Sequence, residues 1–331
     1  MGRTKALIMT AVVPAAFLFL TGCAGSPHEP NEKYILVADN TKIPYWQLAL
    51  HGLNHAVFEM KVKSEIQGPD GHDPQGEHEA FKRAVAEKPS GILVSATDPN
   101  LLTPDINSAL EQGIPVITID SDAPDSKRLF FVGTDNYNAG VIGGKMTSKL
   151  LGDKGNVVIF TIAGQNNLKD RLQGYQTAFA EHPDIKITQV VDMNGNSDVA
   201  FDSAKKLLDS KAKVDAFVCL EALSCPAVAD VVNRAGMGDK VKIIAMDTDP
   251  GTVDWIKKGV ISATIAQKPW TMAYYGTKLL DDLHHHPPKP LLGNWTQDVY
   301  SPVPTFVDTG TFVVNKDNIS SLSQQPPSAQ Q

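Results

Sequence analysis

Residues 91–122, which read GILVSATDPNLLTPDINSALEQGIPVITIDSD, decide the fold. Two apolar runs, at 91–96 and 115–119, flank the segment Leu101–Gln112, which has the spacing of a helix. Gly113 follows that segment, where a left-handed residue commonly ends a helix. Both runs are apolar without alternation, which is typical of parallel strands covered on both faces. The stretch therefore predicts a strand–helix–strand unit of a parallel sheet.

This pattern recurs along most of the chain, and Gly152 and Gly236 again follow predicted helices. Nine apolar runs between about residues 34 and 318 suit two doubly wound α/β domains better than one. The predicted strands are 34–38, 91–96, 115–119, 129–133, 156–162, 185–191, 215–220, 242–246 and 261–266. The predicted helices are Trp46–Glu59, Phe81–Lys88, Leu101–Gln112, Ala139–Leu151, Asp170–Glu181, Ala200–Leu208 and Ala227–Ala235.

The N-terminus has the features of an export signal. Arg3 and Lys5 precede the apolar run Ala6–Leu20, which is short for a membrane-spanning helix. The run ends in LTGC at residues 20–23, which resembles a bacterial lipoprotein signal and implies cleavage before Cys23 and lipidation of its sulfur. The alternative is an ordinary secretory signal with an incidental cysteine. Residues 23–33 are expected to form a tether, and residues 317–331 a disordered tail.

Composition argues against nucleic-acid binding and leaves open whether two cysteines pair. The formal net charge of the 331 residues is -7, without a basic stripe, which argues against binding to nucleic acid. After cleavage only Cys219 and Cys225 would remain besides Cys23. They could pair in an oxidising compartment. Pairing requires α-carbons within about 7 Å, which the sequence does not establish, so two free buried thiols is the default interpretation.

Acidic or amide side chains follow five of the predicted strands. Because ligands of open parallel sheets bind beyond the carboxyl ends of the strands, these side chains are candidates for one site. A single carboxylate there is more often a helix cap or turn former, so the coincidence carries the argument. The strand-end residues are Asp39, Asp120, Glu221, Asp247 and Gln267, with Tyr45 and Trp46 close to the first of them.

This set of side chains suits a neutral polyol. Sugar hydroxyls donate short hydrogen bonds to carboxylates, and the apolar face of a sugar ring packs on Tyr or Trp. An anionic ligand would require a basic cluster, and only Lys169 and Arg171 lie near a predicted strand end. Asp122 is as consistent with capping the next turn as with binding ligand.

Two weaker motifs do not predict a metal site, and no cofactor is expected. The segment 192–198, DMNGNSD, has its glycine at the wrong position for a calcium loop. The histidines at 284–286 lie at a further predicted helix end, before Pro287 and Pro288. Adjacent residues on a helix point about 100° apart, so the three cannot easily share one ion. They suit the negative end of the helix dipole instead. The sequence contains no GxSxG, HExxH or GxxxxGK[ST] motif.

Over nearly all of the chain after the signal, the sequence resembles the ribose-binding (type I) family of periplasmic sugar-binding proteins. The similarity lies in the 91–122 unit, in TDNYNAG at 134–140, in IIAMDTDPGTVDWIKKG at 243–259 and in ISATIAQKP at 261–269. It implies two domains joined by three hinge strands, with the ligand in the cleft between them. The implied N-terminal lobe is 34–134 plus 268–308, and the C-terminal lobe is 135–267 plus 309–316.

The resemblance also implies roles for particular residues. Tyr45 and Trp46 match the stacking aromatics, and either Lys169 or Arg171 matches the basic contact of the second domain. The remaining implied ligand contacts are Asp39, Asp120, Glu221, Asp247 and Gln267. The chain departs from ribose binders at Ile43 and Ser121, and its DSD at 120–122 is similar to rhamnose- and autoinducer-binding members. A deoxysugar, a polyol and a furanosyl compound therefore all stay open as ligands.

The resemblance implies a monomeric, lipid-anchored receptor, periplasmic or on the cell surface, that delivers a sugar or polyol to an ABC permease in the cytoplasmic membrane. One alternative is a sensory subunit that presents its ligand to a chemoreceptor or histidine kinase. A third hypothesis is a carbohydrate-cleaving enzyme with Asp120 and Asp247 as acid and base. It is the weakest, because the resemblance is to proteins without catalysis.

Overall fold

The computed structural model describes residues 28–323. The predicted signal peptide, the lipidation site at Cys23 and the last eight residues of the predicted tail, 324–331, lie outside the described residues. Within 28–323, no helix combines the length and the apolar character that crossing a membrane would take.

One parallel sheet has the strand order β11-β5-β4-β3-β1-β2. Its strands are β1 (Lys33–Val37), β2 (Lys63–Gln67), β3 (Gly91–Val94), β4 (Val116–Ile119), β5 (Phe131–Gly133) and β11 (Phe306–Asp308). The helices packed on it are α1 (Pro44–Met60), α2 (Pro74–Ala86), α3 (Pro99–Glu111) and α9 (Pro269–His285). We call this unit the first lobe.

The other sheet has the order β12-β10-β9-β8-β6-β7, parallel except for β12, which runs antiparallel to β10. Its strands are β6 (Lys154–Thr161), β7 (Asp184–Asp192), β8 (Ala216–Cys219), β9 (Lys242–Met246), β10 (Ala263–Ala266) and β12 (Phe312–Asn315). Its helices are α4 (Asn136–Leu151), α5 (Asn166–Ala180), α6 (Ser197–Asp209), α7 (Ser224–Arg234) and α8 (Pro250–Lys257). This second lobe has the same strand order as the first when the strands are matched along the sheet.

The chain passes between the lobes three times. It does so from β5 to α4, from β10 to α9 and from β11 to β12. The predicted class, two doubly wound parallel-sheet α/β domains, is confirmed.

Local signals in the sequence set many helix boundaries. The Asp98 carboxylate accepts hydrogen bonds from the amides of Asn100 and Leu101 and so caps the start of α3. Gly113, Gly152 and Gly236 all have left-handed backbones, with φ of 82°, 62° and 63°, where the sequence predicts helix ends. The strand cores are apolar as expected, since Leu36, Ile92, Ile117, Ile159, Val218 and Ile244 are fully buried.

The structure corrects three expectations. Strands β2, β11 and β12 were not predicted, because β2 is a polar edge strand, KSEIQ, and the other two are short. Residues 28–33 do not form a free tether: β1 begins at Lys33, and Glu32 is only 7% exposed. Residues 319–323 form a 3₁₀ helix in which Ile319 and Leu322 pack on the second lobe, so the tail is not disordered from residue 317.

The default interpretation of the cysteines is wrong. Cys219 and Cys225 form a disulfide, with their α-carbons 5.7 Å apart. Cys219 ends β8 and Cys225 lies in the first turn of α7. The turn at 221–223 reverses the chain directly after the strand, which brings the two sulfurs together.

Candidate functional site

Eight of the nine side chains that the sequence predicts as ligand contacts line one cavity, where the carboxyl edges of the two sheets face each other. Both lobes contribute to it, in agreement with the binding of ligands beyond the carboxyl ends of parallel strands. The eight are Asp39, Tyr45, Trp46, Asp120, Arg171, Glu221, Asp247 and Gln267.

Lys169 is the exception. It lies on the exposed side of α5, outside the cavity, whereas Arg171 is 2% exposed and lines it. Residues two apart on a helix point about 200° apart, so only one of the two can face the cavity. Helix α5 begins at Asn166, and on this helix Arg171 lies on the buried face.

Asp120 and Asp247 occupy equivalent places in the two lobes. Each directly follows the third strand in its sheet order, β4 and β9. Both have left-handed backbones, with φ of 63° and 66°, which is uncommon for a residue other than glycine. The strained turn aims each carboxylate into the cavity, where Asp120 is 9% and Asp247 5% exposed.

The two aromatic residues at the start of α1 do different things. The Tyr45 hydroxyl donates a hydrogen bond of 2.6 Å to Asp120 Oδ1, so this residue positions a carboxylate as well as lining the cavity. The Trp46 ring packs edge-on against the Tyr45 ring, with centroids 5.1 Å apart and an interplanar angle of 87°. A perpendicular pair can offer a ring to two sides of one ligand.

Arg171 organises the second lobe's side of the cavity. Its guanidinium donates to Asn136 Oδ1 at 2.8 Å, to the Leu220 carbonyl at 2.7 Å and to Gln267 Oε1 at 2.7 Å. Gln267 in turn donates from its amide nitrogen to both oxygens of Asp247, at 3.1 and 3.2 Å. One buried cation therefore fixes the orientation of the amide that holds the strand-end aspartate.

The cavity is short of positive charge. Burial raises the pKa of Asp247 to about 7, although the charge of Arg171 opposes the shift. Burial likewise raises the pKa of Asp120 and of Glu221. Another anion would add to this unfavourable charge, whereas hydroxyl groups would donate to it.

Asp39 and Glu221 are already engaged by the protein. Asp39 accepts a hydrogen bond of 2.7 Å from the Asp73 amide and pairs with His72, which raises the pKa of that imidazole. Glu221 accepts bonds from the amides of Leu223 and Ser224 at 2.5 and 3.2 Å, so it also holds the start of α7. Both carboxylates therefore position parts of the protein as well as lining the cavity.

Several lining residues were not predicted. Ser95 and Asn167 each lie 3.4 Å from Asp120 Oδ2 as donors, and Asn167 reaches it from the other lobe. Both Ser95 and Thr97 follow β3. Ser95 lies inside the predicted strand 91–96, whereas Thr97 directly follows that strand but is neither acidic nor an amide. His72 lies in a loop before α2, and no pattern in the sequence marks it.

Asp122 does not line the cavity. Its carboxylate forms a bidentate ion pair with Arg128 and accepts a hydrogen bond from Thr118. Arg128 is 5% exposed, so Asp122 neutralises a buried cation.

Comparison with known proteins adds an independent line of evidence. Residues 34–285 match the family model described as periplasmic binding protein domain. The D-allose-binding periplasmic protein of Escherichia coli (strain K12) is 25% identical over 261 residues, which cover 76% of this chain and 84% of that protein.

Two solved structures are similar in sequence and in fold. The sugar-binding protein of a sugar ABC transporter from Bacillus halodurans is 34% identical, with a TM-score of 0.77 over 88% of this chain and 99% of that chain. The arabinose-binding protein AraP from Geobacillus stearothermophilus is 33% identical, with a TM-score of 0.74 over 89% of this chain and 100% of that chain.

Proposed function

The chain belongs to the periplasmic binding protein domain family, and from that premise we propose that it captures a neutral sugar or sugar-like polyol between its lobes and delivers it to an ABC-type importer. The observation that carries this proposal is the convergence of acidic, amide and aromatic side chains from both lobes on one cavity. The similar proteins, which include sugar binders of ABC transporters, support it.

The chemistry of the cavity restricts the ligand class. Asp120 and Asp247 offer acceptors to hydroxyl groups, and Arg171, whose guanidinium carries five N–H groups, offers donors to ring or hydroxyl oxygens. Trp46 offers an apolar face to the C–H side of a ring. A carboxylate or phosphate ligand is disfavoured, because the acidic side chains that line the cavity outnumber Arg171.

A thermal-shift screen of the ligand-free protein against neutral monosaccharides, polyols and furanosyl autoinducers tests this proposal. A micromolar binder at millimolar concentration is expected to stabilise the protein by about 4 kcal/mol, according to RT ln(1 + [L]/Kd). Sugar acids and sugar phosphates serve as matched charged controls. Stabilisation by the charged compounds alone would contradict the proposal.

We further propose that ligand binding favours the closed arrangement of the lobes, and that the importer recognises this shape. A ligand bridging both lobes shifts the equilibrium by its extra contacts in the closed state. Asn167 already contacts Asp120 across the cleft, and the side-chain amide of Asn166 donates to the backbone carbonyl of Asp122 at 3.2 Å. The proposed moving bodies are 34–134 plus 268–308 and 135–267 plus 309–316.

We propose binding without catalysis, which the family supports. A glycosidase needs one carboxylic acid and one carboxylate free to act on the glycosidic oxygen and on water. Asp120 is held by Tyr45, and Asp247 by Gln267. Turnover of chromogenic glycosides above background, lost in Asp247→Asn, would overturn this assignment.

The proposed anchor is a lipid on Cys23 after removal of residues 1–22, which would keep the protein at the membrane that holds its permease. A single acyl chain binds membranes only marginally, so the proposal requires more than one. Mass spectrometry of the mature N-terminal peptide tests it directly. An unmodified cysteine there would leave an ordinary secretory signal as the explanation.

Replacing Trp46 by alanine is expected to weaken sugar binding about tenfold or more. The substitution removes a stacking contact worth roughly 0.5–1.5 kcal/mol beyond the area it buries. Trp46→Phe is the matched control, since it retains an aromatic face, and it should lose less than Trp46→Ala. Calorimetry would contradict the stacking role if Trp46→Ala bound with wild-type affinity.

Sugar affinity is expected to be constant above about pH 7 and to fall up to about tenfold per unit below it. Sugar hydroxyls donate to the ionised form of Asp247, so binding lowers a pKa that stands at about 7 in the ligand-free protein and releases a proton. Calorimetry between about pH 8 and pH 5.5 measures this dependence. Asp247→Asn should bind more weakly at about pH 8 and show a smaller pH dependence; an unchanged slope would rule out Asp247 as its source.

The raised pKa of Asp247 makes the stability of the ligand-free protein fall with rising pH, whereas it makes sugar affinity rise. The pKa of Asp247 rises from 3.8 to about 7 on folding, so ionisation is penalised in the folded state. Stability contributed by the protonated group is therefore lost as the pH rises from about 4 to 7. Without sugar, Asp247→Asn should melt at a higher temperature than the wild type at about pH 8, and this difference should shrink at about pH 5.

A further inference from the structure

Four side chains that could bind a metal converge in the first lobe, away from the sugar cavity. They are His28, Glu32, Asp281 and His285, and one potential ligand atom from each lies within 4.8 Å of the others. His28 and Glu32 precede β1, and Asp281 and His285 lie one turn apart near the end of α9. We propose that these residues form a binding site for a divalent transition metal, with Zn²⁺ the best fit.

His285 has the orientation of a metal ligand. Its Nδ1 lies 2.9 Å from the Asp281 carbonyl oxygen, a contact that requires Nδ1 to carry the proton. In the neutral imidazole the Nε2 lone pair is then available to a metal, and this atom lies 3.3 Å from Glu32 Oε1. A backbone carbonyl that fixes the tautomer of a histidine in this way is typical of metal-binding imidazoles.

The two carboxylates are oriented from outside the cluster as well. The buried Tyr34 hydroxyl donates to Asp281 Oδ1 at 2.9 Å, while Asp281 Oδ2 lies 3.0 Å from His28 Nε2. The Glu29 amide donates to Glu32 Oε1 at 2.7 Å. Each carboxylate thus has one outer donor and still faces an imidazole nitrogen.

Glu32 provides the observation that points to a missing ligand. The residue is 7% exposed, and its Oε2 is buried without a hydrogen-bond partner. A buried carboxylate oxygen without a partner is costly, and a cation is one way to satisfy it. The neighbouring ammonium group of Lys33 pairs instead with Glu65 and Glu87.

The ligand types select the metal. Two imidazole nitrogens and two carboxylate oxygens match the four-coordinate sites of Zn²⁺, with bonds of about 2.0–2.2 Å. Calcium and magnesium prefer six or more oxygens, and Mg²⁺ keeps much of its water. Of the three consecutive histidines His285 takes part, whereas His284 and His286 are exposed and lie outside the cluster. The sequence expectation that the histidine run alone cannot chelate an ion is consistent with this geometry.

Zinc titration of the chelator-treated mature chain, purified without a histidine tag, tests the proposal by calorimetry and elemental analysis. The wild type is expected to bind one equivalent of Zn²⁺, and His285→Ala and Glu32→Gln should each lose it. His286→Ala is the matched control and should retain it, since that side chain is 78% exposed and outside the cluster. Calcium at the same concentration should not compete.

A second variant tests the outer shell. Tyr34→Phe leaves all four proposed ligands in place but removes the hydroxyl group that orients Asp281. It should weaken zinc binding about 10- to 100-fold. Zinc should raise the melting temperature of the wild type but not that of His285→Ala, and sugar affinity should be equal in both, which shows that the variant is folded. Absence of a stoichiometric zinc equivalent in the wild type, or its loss in His286→Ala but not in His285→Ala, would overturn the proposal.

Discussion

Replacing Arg171 by methionine is expected to weaken sugar binding more than 100-fold, the largest effect of any single substitution in the cavity. Methionine preserves most of the length of the side chain but removes all three donated hydrogen bonds. The Gln267 amide is then free to turn, and Asp120 and Asp247 lose a cation that lowers the pKa of both. Removing one partner of a buried charged network costs roughly 3–5 kcal/mol.

Lys169→Met is the matched control for this prediction. It removes the same charge from the same helix, two residues away, at a position outside the cavity. Calorimetry should give wild-type affinity for Lys169→Met, and a melting curve should show that Arg171→Met is folded. If folded Arg171→Met bound sugar within tenfold of the wild type, the assignment of the basic contact would be wrong.

Asp120→Asn is expected to reduce sugar affinity about 10- to 150-fold, equivalent to roughly 1.5–3 kcal/mol for hydrogen bonds to a charged group. Asparagine tolerates the left-handed backbone at this position, where φ is 63°, better than alanine does. The change therefore tests the carboxylate rather than backbone strain. It also replaces one acceptor with a donor, which a sugar hydroxyl cannot match without rotating.

Asp122→Asn separates affinity from stability. This carboxylate pairs with the buried Arg128 and does not line the cavity. The variant should melt several degrees lower, because an uncompensated buried cation remains, while its affinity for sugar stays near that of the wild type. If Asp122→Asn lost affinity for sugar and Asp120→Asn kept it, Asp122 rather than Asp120 would be the ligand contact.

The placement of the sheet-end residues could be predicted from the sequence because it follows from topology. A carboxylate directly after a buried parallel strand, such as Asp120 or Asp247, must lie at the carboxyl edge of the sheet, whatever the side-chain details. The choice between Lys169 and Arg171 depended on the first residue of α5, and spacing does not fix a helix start to one residue.

Other features depended on contacts between distant segments. His72 reaches the cavity from a loop, and its role depends on Asp39, which follows the neighbouring strand and with which it forms a pair. The Cys219–Cys225 disulfide depended on a tight turn between β8 and α7 that the sequence did not specify. Strand β2 was missed because an edge strand has solvent on one side and needs few apolar residues.

The three passages of the chain between the lobes affect the order in which the protein can be completed. Helix α9 packs on α1, so the first lobe needs segments from near both ends of the chain. Most of the second lobe, from α4 to β10, is one uninterrupted stretch, and only β12 joins it later. As the polypeptide emerges from the export channel, the second lobe can therefore gain most of its contacts early, while the first lobe must wait for α9 before its sheet is covered on that face.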